Sequence, residues 1–309
     1  MPIGHDNAGM DLQQLASFVQ VAELGSFTRA ARLLGTAQPA LSRQVRALET
    51  ELRQTLFART GRGVTLTEPG KRLLAHGRGI LQQVERARLD LEEHRGAPVG
   101  HLAVGLPPSV GRVITAPLVV ACRERFPQAT LTVVEGLSAY VLEWLLQGRV
   151  DVAVVYPAPP DRAIERLPVV DERLFLVSAR ARRQAAAIGK PVTLAEVAAH
   201  ELVIPSRPHS IRMQVETALA GAGLRPRIGV EIESVPAILD LVEHHALHAV
   251  LSLNALRGRE AALQARPVVL GSGQPLATPL AIATSAQRPR GPLVEQGTAL
   301  VRELLLALW

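Results

Sequence analysis

Between Gln38 and Arg62 the chain carries glutamine, serine and arginine at a spacing that could read nucleic acid. In a helix, Leu41, Val45, Leu48 and Leu52 fall at i, i+4, i+7 and i+11 and form one apolar stripe. Gln38, Ser42, Arg43 and Arg46 point away from it. Such side chains suit the major groove, where arginine reads guanine, glutamine reads adenine and serine accepts several edges. Pro39 offers an apolar contact to a thymine methyl. Arg46, with Arg59 and Arg62 around the turn Gly61-Arg62-Gly63, would meet phosphates or the minor groove. A helical hairpin with a solvated outer face has the same local pattern, so the pattern alone decides nothing.

The neighbouring residues supply elements to position that face. A helix is expected over Asp11–Leu24, with Leu15, Phe18, Val19 and Ala22 on one side. A shorter one runs from a Ser26 cap to Leu34 and stops at Gly35. Thr36 is the expected cap of the following helix, whose first turn tolerates Pro39. Two helices joined by a short glycine-containing turn make a helix-turn-helix. Leu56–Thr67 then reads as a two-stranded wing. Between Ser26 and Arg72, nine Lys and Arg oppose three acids, an excess of +6 that equals the charge of the whole chain. Release of counterions from DNA phosphates would use that excess.

Phe18 to Ala31, the run Ala37-Gln-Pro-Ala-Leu-Ser-Arg-Gln-Val-Arg-Ala-Leu-Glu49, Leu56-Phe-Ala-Arg59 and Leu66-Thr-Glu-Pro-Gly70 follow one another over some sixty residues. This succession resembles the winged helix-turn-helix of LysR-type transcriptional regulators. The chain departs from that pattern at Arg53, where the family usually places glycine.

Glu68–Arg95 reads as a long helix, with Leu73, Gly77, Ile80, Val84, Ala87 and Leu91 alternating in steps of four and three. That is a coiled-coil seam suited to pairing two chains, and one winged helix reads only half a palindrome. Packing against a domain of the same chain is the other use of such a seam. The resemblance implies dimers that assemble into tetramers. A hinge is expected at 96–100, and residues 1–10 form a polar extension.

Beyond the hinge, β-branched runs alternate with helical patterns. Strands are expected at His101–Leu106, Thr130–Glu135, Val150–Val155, Leu174–Val177, Leu202–Ile204, Ile228–Ile232, Ala249–Leu251, Pro267–Leu270 and Leu280–Ala283. Helices are expected at Val113–Phe126, Ala139–Gln147, Ile211–Ala222, Val235–His244 and Pro292–Leu308. Alternation of this kind predicts an α/β class with mostly parallel sheets. The resulting plan is a DNA-binding domain at 11–67, a linker helix at 68–95 and an effector-binding domain at 101–309. The resemblance makes the last a two-lobed fold similar to periplasmic binding proteins. Its first lobe takes about 101–172 and 274–309, and its second about 173–273.

Ligands of open α/β sheets sit beyond the strand ends, at helix N-termini. Leu106-Pro-Pro-Ser109, Glu135-Gly-Leu-Ser138 and Ile204-Pro-Ser-Arg-Pro-His209 occupy such edges. Ser109 and Ser138 could cap their helices, bind a small anion, or do both. The resemblance places Ser109, Ser138, Pro205 and Ser206 in the inducer cleft. Within the family, Gly105-Leu-Pro-Pro-Ser-Val-Gly-Arg112 and Glu143-Trp-Leu-Leu-Gln-Gly-Arg149-Val-Asp151 are similar to the nitrogen assimilation control branch. Few aromatic residues fall in the cleft loops, so the expected effector is a small polar or carboxylate compound.

The composition excludes several other classes. Length alone calls for more than one domain. No apolar run approaches the ~20 residues of a membrane span, and the start lacks a signal-peptide core. The one cysteine, Cys122, permits no internal disulfide and sits on an apolar helical pattern. There is no Gly-x-Ser-x-Gly elbow, phosphate-cradling loop or dinucleotide fingerprint. His244, His245 and His248 lack an acid at ligand spacing, so a polar helix end explains them better than a metal. The sequence therefore points to a cytoplasmic, oligomeric, ligand-responsive transcription factor with no catalytic residue, cofactor or metal. Its expected partners are a pseudo-palindromic operator, itself, a small effector and, as a further candidate, RNA polymerase.

Overall fold

The computed structural model describes residues 10–60, 63–92, 99–180 and 188–309. Two compact units emerge, the first built on the N-terminal helices and the second on most of the chain from residue 99 onward.

In the first unit, Asp11 opens α1 (Leu12–Leu24) by accepting the Gln13 amide, and Gly25 closes it in the left-handed conformation. Ser26 caps α2 (Phe27–Leu33) through the Arg29 amide. The next helix, α3 (Gln38–Leu52), differs from expectation at its start. Ala37 holds the cap position without a side-chain hydrogen bond, and Thr36 lies one residue outside. Pro39 in the first turn sets the helical φ there instead. Leu41, Val45 and Leu48 are buried with Phe18, Leu15, Ala30 and Ala31 in one core. Arg53 ends α3 at φ 50°, and the Glu49 carboxylate accepts the Leu56 and Phe57 amides to turn the chain into the wing. The wing pairs β1 (Phe57–Thr60) with β2 (Gly63–Leu66) in antiparallel register.

The linker helix α4 (Glu68–Glu92) follows directly. A Cβ on Gly70 would stand 2.2 Å from the Leu56 carbonyl oxygen, so only glycine lets the helix leave the wing so closely. The expected pairing seam divides in two. Leu73 and Ile80 pack on the core of the unit, and Gly77 faces Leu15 and Val19 of α1. Farther along, Val84 is half-buried and Ala87 is exposed. The first turns of α4 thus hold this chain's own domain together. The expected end of the helix at Arg95 and the residues up to 98 lie outside the described residues.

The second unit has two lobes. The first holds β3 (Gly100–Leu106), α5 (Pro108–Arg125), β4 (Ala129–Glu135), α6 (Ser138–Leu146) and β5 (Val152–Val155). Next comes the long β6 (Ile164–Ala179), which crosses into the second lobe. That lobe contains β7 (Val192–Thr193), α7 (Leu194–Ala199), β8 (Glu201–Ile204), α8 (Ser210–Gly221), β9 (Arg227–Glu231), α9 (Val235–His244), β10 (Ala249–Ser252), a 3-10 turn (Leu253–Leu256) and β11 (Leu263–Val269). The chain returns through β12 (Ala277–Ser285) and ends on α10 (Pro292–Leu308).

Pairing corrects the expectation of mostly parallel sheets. β3 is parallel to β4 and β5, and β8 to β9. The crossing strands break the rule: β12 is antiparallel to β5 and β6, and β6 is antiparallel to β10 and β11. A strand that leaves one lobe and a strand that returns to it run in opposite directions, so their pairing is antiparallel. Residues Ile164–Arg173 of β6 pair in the first lobe, and the partners change at Leu174. Each lobe buries aliphatic residues on both sides of its strands, with Ile114 and Leu300 against Val141 and Leu145 in the first and Val215 and Leu219 against Ile238 and Val242 in the second.

Candidate functional site

Along α3, Gln38, Pro39, Arg43 and Arg46 are exposed and Ser42 is half-buried. Packing of the opposite stripe leaves these side chains no place in the core. A groove of about 530 Å³ runs between the N-terminal turn of α2, α3 and the wing, and Gln38, Ser42 and Arg46 line it together with Thr28. Arg43 lies outside the groove. Neither Arg43 nor Arg46 has a side-chain hydrogen bond or ion pair among the described residues, so both guanidiniums are available to phosphate or base edges. Arg59 belongs to β1 by its backbone, whereas Arg62 at the expected wing tip lies outside the described residues.

In the second unit a cleft of about 360 Å³ opens between the lobes. Ser109 and Ser138 line it, as the sequence suggests, although neither hydroxyl caps its helix in the expected way. The helix carrying Ser109 starts at Pro108, five residues before the expected Val113, and Pro107 holds the cap position. The Ser138 hydroxyl accepts the Tyr156 amide at 3.1 Å. Ser109 Oγ lies 3.0 Å from the Tyr156 hydroxyl, which itself donates to Glu172 Oε2 across 2.5 Å. Since that phenol has one proton, Ser109 is the donor to Tyr156. Trp309 Nε1 donates to the other oxygen of Glu172 at 2.9 Å. Burial, and then the Glu172 charge, push the Tyr156 phenol well above its usual range, which keeps it a donor.

Pro205 and Ser206 are not part of the cleft lining. Pro205 is buried, and its carbonyl accepts from Arg212 Nη1, whose guanidinium also meets Glu216 and Glu231. Ser206 donates to Glu233 Oε1 at 2.8 Å, and it is Glu233 that reaches the cleft. Both residues therefore hold the lobe edge behind the lining. His209 caps α8 by accepting the Ile211 amide through Nδ1, and burial lowers its pKa. Arg112 of α5 donates to the Arg257 carbonyl of the second lobe, and Arg257 donates to the Leu308 carbonyl of the first.

Reasoning from the sequence missed Tyr156, Glu172, Glu233 and Ser252. Tyr156 is the one aromatic of Phe, Trp or Tyr type in the cleft lining, in keeping with the few expected there. No local motif marks these residues, because strand pairing brings them together. Two glutamates and one arginine, Glu135, Glu233 and Arg112, line the cleft, so its charge does not favour the expected simple carboxylate. Among the described residues no group of three or more His, Cys, Asp or Glu could hold a metal ion, and no helix is long and apolar enough to cross a membrane.

Comparison with known proteins agrees with both units. Residues 12–71 match the bacterial regulatory helix-turn-helix protein, lysR family, and residues 95–305 match the LysR substrate binding domain. The nitrogen assimilation regulatory protein nac of Klebsiella aerogenes is 35% identical over 300 residues, covering 97% of this chain and 95% of that protein. Its Escherichia coli (strain K12) counterpart is 35% identical over 249 residues, 80% of each. Among solved structures, CbnR, a LysR family transcriptional regulator, superposes with a TM-score of 0.70 at 26% identity, covering 95% of this chain and 99% of that one. Full-length CbnR complexed with its target DNA gives a TM-score of 0.70 at 27% identity, with the same coverage. A likeness that runs through both units and nearly the whole length makes this protein a member of the LysR family of DNA-binding transcriptional regulators.

Proposed function

We propose that this regulator reads a pseudo-palindromic operator as a homo-oligomer and answers to a small molecule held between the lobes of its second unit. Gln38, Ser42 and Arg43 would touch base edges, Pro39 a thymine methyl, and Arg46, Arg59 and Arg62 phosphates. The observation that carries the reading is a helix that buries Leu41, Val45 and Leu48 while Gln38, Arg43 and Arg46 stand exposed. The later turns of α4, where Ala87 is exposed, are the proposed self-association surface, giving dimers and then tetramers. Ser109 and Ser138 are the proposed effector contacts, with Pro205 and Ser206 supporting the lobe edge from behind. Action is by binding alone, in the cytoplasm, with RNA polymerase as a further partner.

An effector changes the equilibrium only if it binds one lobe arrangement better than another. Closure of the lobes would then alter the spacing of paired DNA-reading heads. DNase footprints on the operator with and without effector test this directly. Footprints of different length or bend are expected, and identical footprints would count against it.

A further inference from the structure

We infer that the cleft is built for a ligand carrying an ammonium group, received between the Glu135 carboxylate of the first lobe, the Glu233 carboxylate of the second and the Ser252 hydroxyl at the cleft floor. This rests on reading the cleft as the effector site. The two lobes present matching corners. Glu135 ends β4 just before α6, and Glu233 follows β9 just before α9, so each lobe contributes one acid to the same cavity. Glu135 has no hydrogen-bond or ion-pair partner among the described residues. Its place is prepared by Gly111, where a Cβ would stand 2.2 Å from Glu135 Oε1, so the glycine leaves room for the carboxylate beside α5.

Ser252 supplies an independent sign. Its side chain is fully buried, it lines the cleft, and its Oγ has no hydrogen-bond partner among the described residues. A buried hydroxyl is costly to leave unmade, which marks a place where a ligand atom belongs. Two carboxylates and a hydroxyl give three acceptors, the number of N–H bonds on an ammonium. The cations of the cleft do not cancel this. The one arginine, Arg112, offsets at most one of the two carboxylates and already donates to the Arg257 carbonyl, and burial favours the neutral form of His209. Helix N-termini also meet here and attract anions, but two of them already face the chain's own acids, Glu135 beside α5 and Glu233 ahead of α9. The N-terminus of α6, where the Ser138 hydroxyl turns to the Tyr156 amide, could additionally receive a carboxylate, as an amino acid would supply. Like charges on the two lobes disfavour their approach, and a cation between them would reverse the sign of that interaction. The ligand thereby favours the closed arrangement.

Thermal shift and titration calorimetry on the full chain at fixed ionic strength test the inference. The probes are ethanolamine and putrescine (ammonium alone), L-alanine (ammonium with carboxylate), acetate and succinate (carboxylate alone), and Mg²⁺. A saturable rise in melting temperature is expected with ammonium probes only; a preference for L-alanine over ethanolamine would locate the carboxylate subsite as well. E135Q and E233Q, both at exposed positions, should each weaken the responding probe by about 10- to 100-fold while circular dichroism stays unchanged. S252A should weaken it too, yet leave the ligand-free protein as stable or more so, which a purely structural serine would not do. Binding of acetate or succinate that ignores E135Q and E233Q would overturn the inference while keeping the cleft as an effector site. A shift produced by Mg²⁺ alone would overturn it in favour of a metal. Silence from every probe would sink both the inference and the effector reading beneath it.

Discussion

The Tyr156 hydroxyl donates to Glu172 across 2.5 Å, with both side chains only 3% exposed. Tyr156 comes from β5's end and Glu172 from β6 just before it crosses lobes, so this bond ties the cleft floor to the crossing strand. Trp309 holds the second carboxylate oxygen and fastens the C-terminal helix to the same point. Replacing Tyr156 by Phe leaves Glu172 and Ser109 short of partners, and the expected cost is about 1–3 kcal/mol. Guanidinium unfolding followed by tryptophan fluorescence measures this cleanly, because Trp144 and Trp309 both lie in the second unit. An unchanged transition would mean that the network adds no stability.

At Arg53 the backbone sits in the left-handed region, at φ 50° and ψ 38°, where a side chain is unfavourable and glycine is not. Arg53→Gly is therefore expected to stabilise the first unit by about 1 kcal/mol, given the cost of left-handed backbone. Hydrogen exchange of the α1 and α3 amides should slow accordingly. Faster exchange would show that the Arg53 side chain contributes more than its backbone costs.

Gly70 makes the opposite case. A Cβ there meets a carbonyl oxygen rather than a flexible side chain, and Gly70→Ala should cost about 1–3 kcal/mol through overpacking. Gly271→Ala, where nothing lies within 4 Å, is the control and should be close to neutral. Parallel melting curves decide it, and equal stability of the two variants would refute the crowding at the wing–helix junction.

His209 predicts a pH dependence. Burial holds its folded pKa below the usual value of about 6.5, so the fold favours the neutral ring. Its contribution is present above pH ~6.5 and is lost as pH falls below that, when the unfolded chain takes up a proton more readily. Protonation would also remove the Nδ1 acceptor that caps α8. Asn caps helices without titrating, so His209→Asn should lose less stability than the wild type between pH 7 and 5. Matching pH profiles for the two proteins would contradict this.

These residues show how much the sequence discloses. Leu41, Val45 and Leu48 announce α3 and its outer face because helical periodicity is local, and the wing follows from short β-prone runs flanking glycine. The length of β6 is hidden, because Ile164–Arg173 groups its charged residues in runs without a period of two and contains Pro168, while only the buried Leu174–Val177 stands out. The start of α5 is hidden behind Pro107-Pro108, which read as a loop until Pro107 takes the cap. In the cleft, Ser109 and Ser138 are legible from their place after strands. Tyr156, Glu172, Glu233 and Ser252 meet only through pairing between distant segments. The linker seam is half legible: its periodicity is real, but the sequence does not say that Leu73, Gly77 and Ile80 face α1.

Arg43 offers the most direct test of the DNA-reading face. With an operator selected from a random-sequence library, fluorescence anisotropy compares wild type and Arg43→Ala on that site and on a scrambled duplex at one salt concentration. Base reading predicts a loss of about 1–3 kcal/mol on the operator, a relaxed sequence preference and little change on the scrambled duplex. An equal loss on both duplexes would make Arg43 a phosphate contact and contradict the assignment of α3's outer face as the reader.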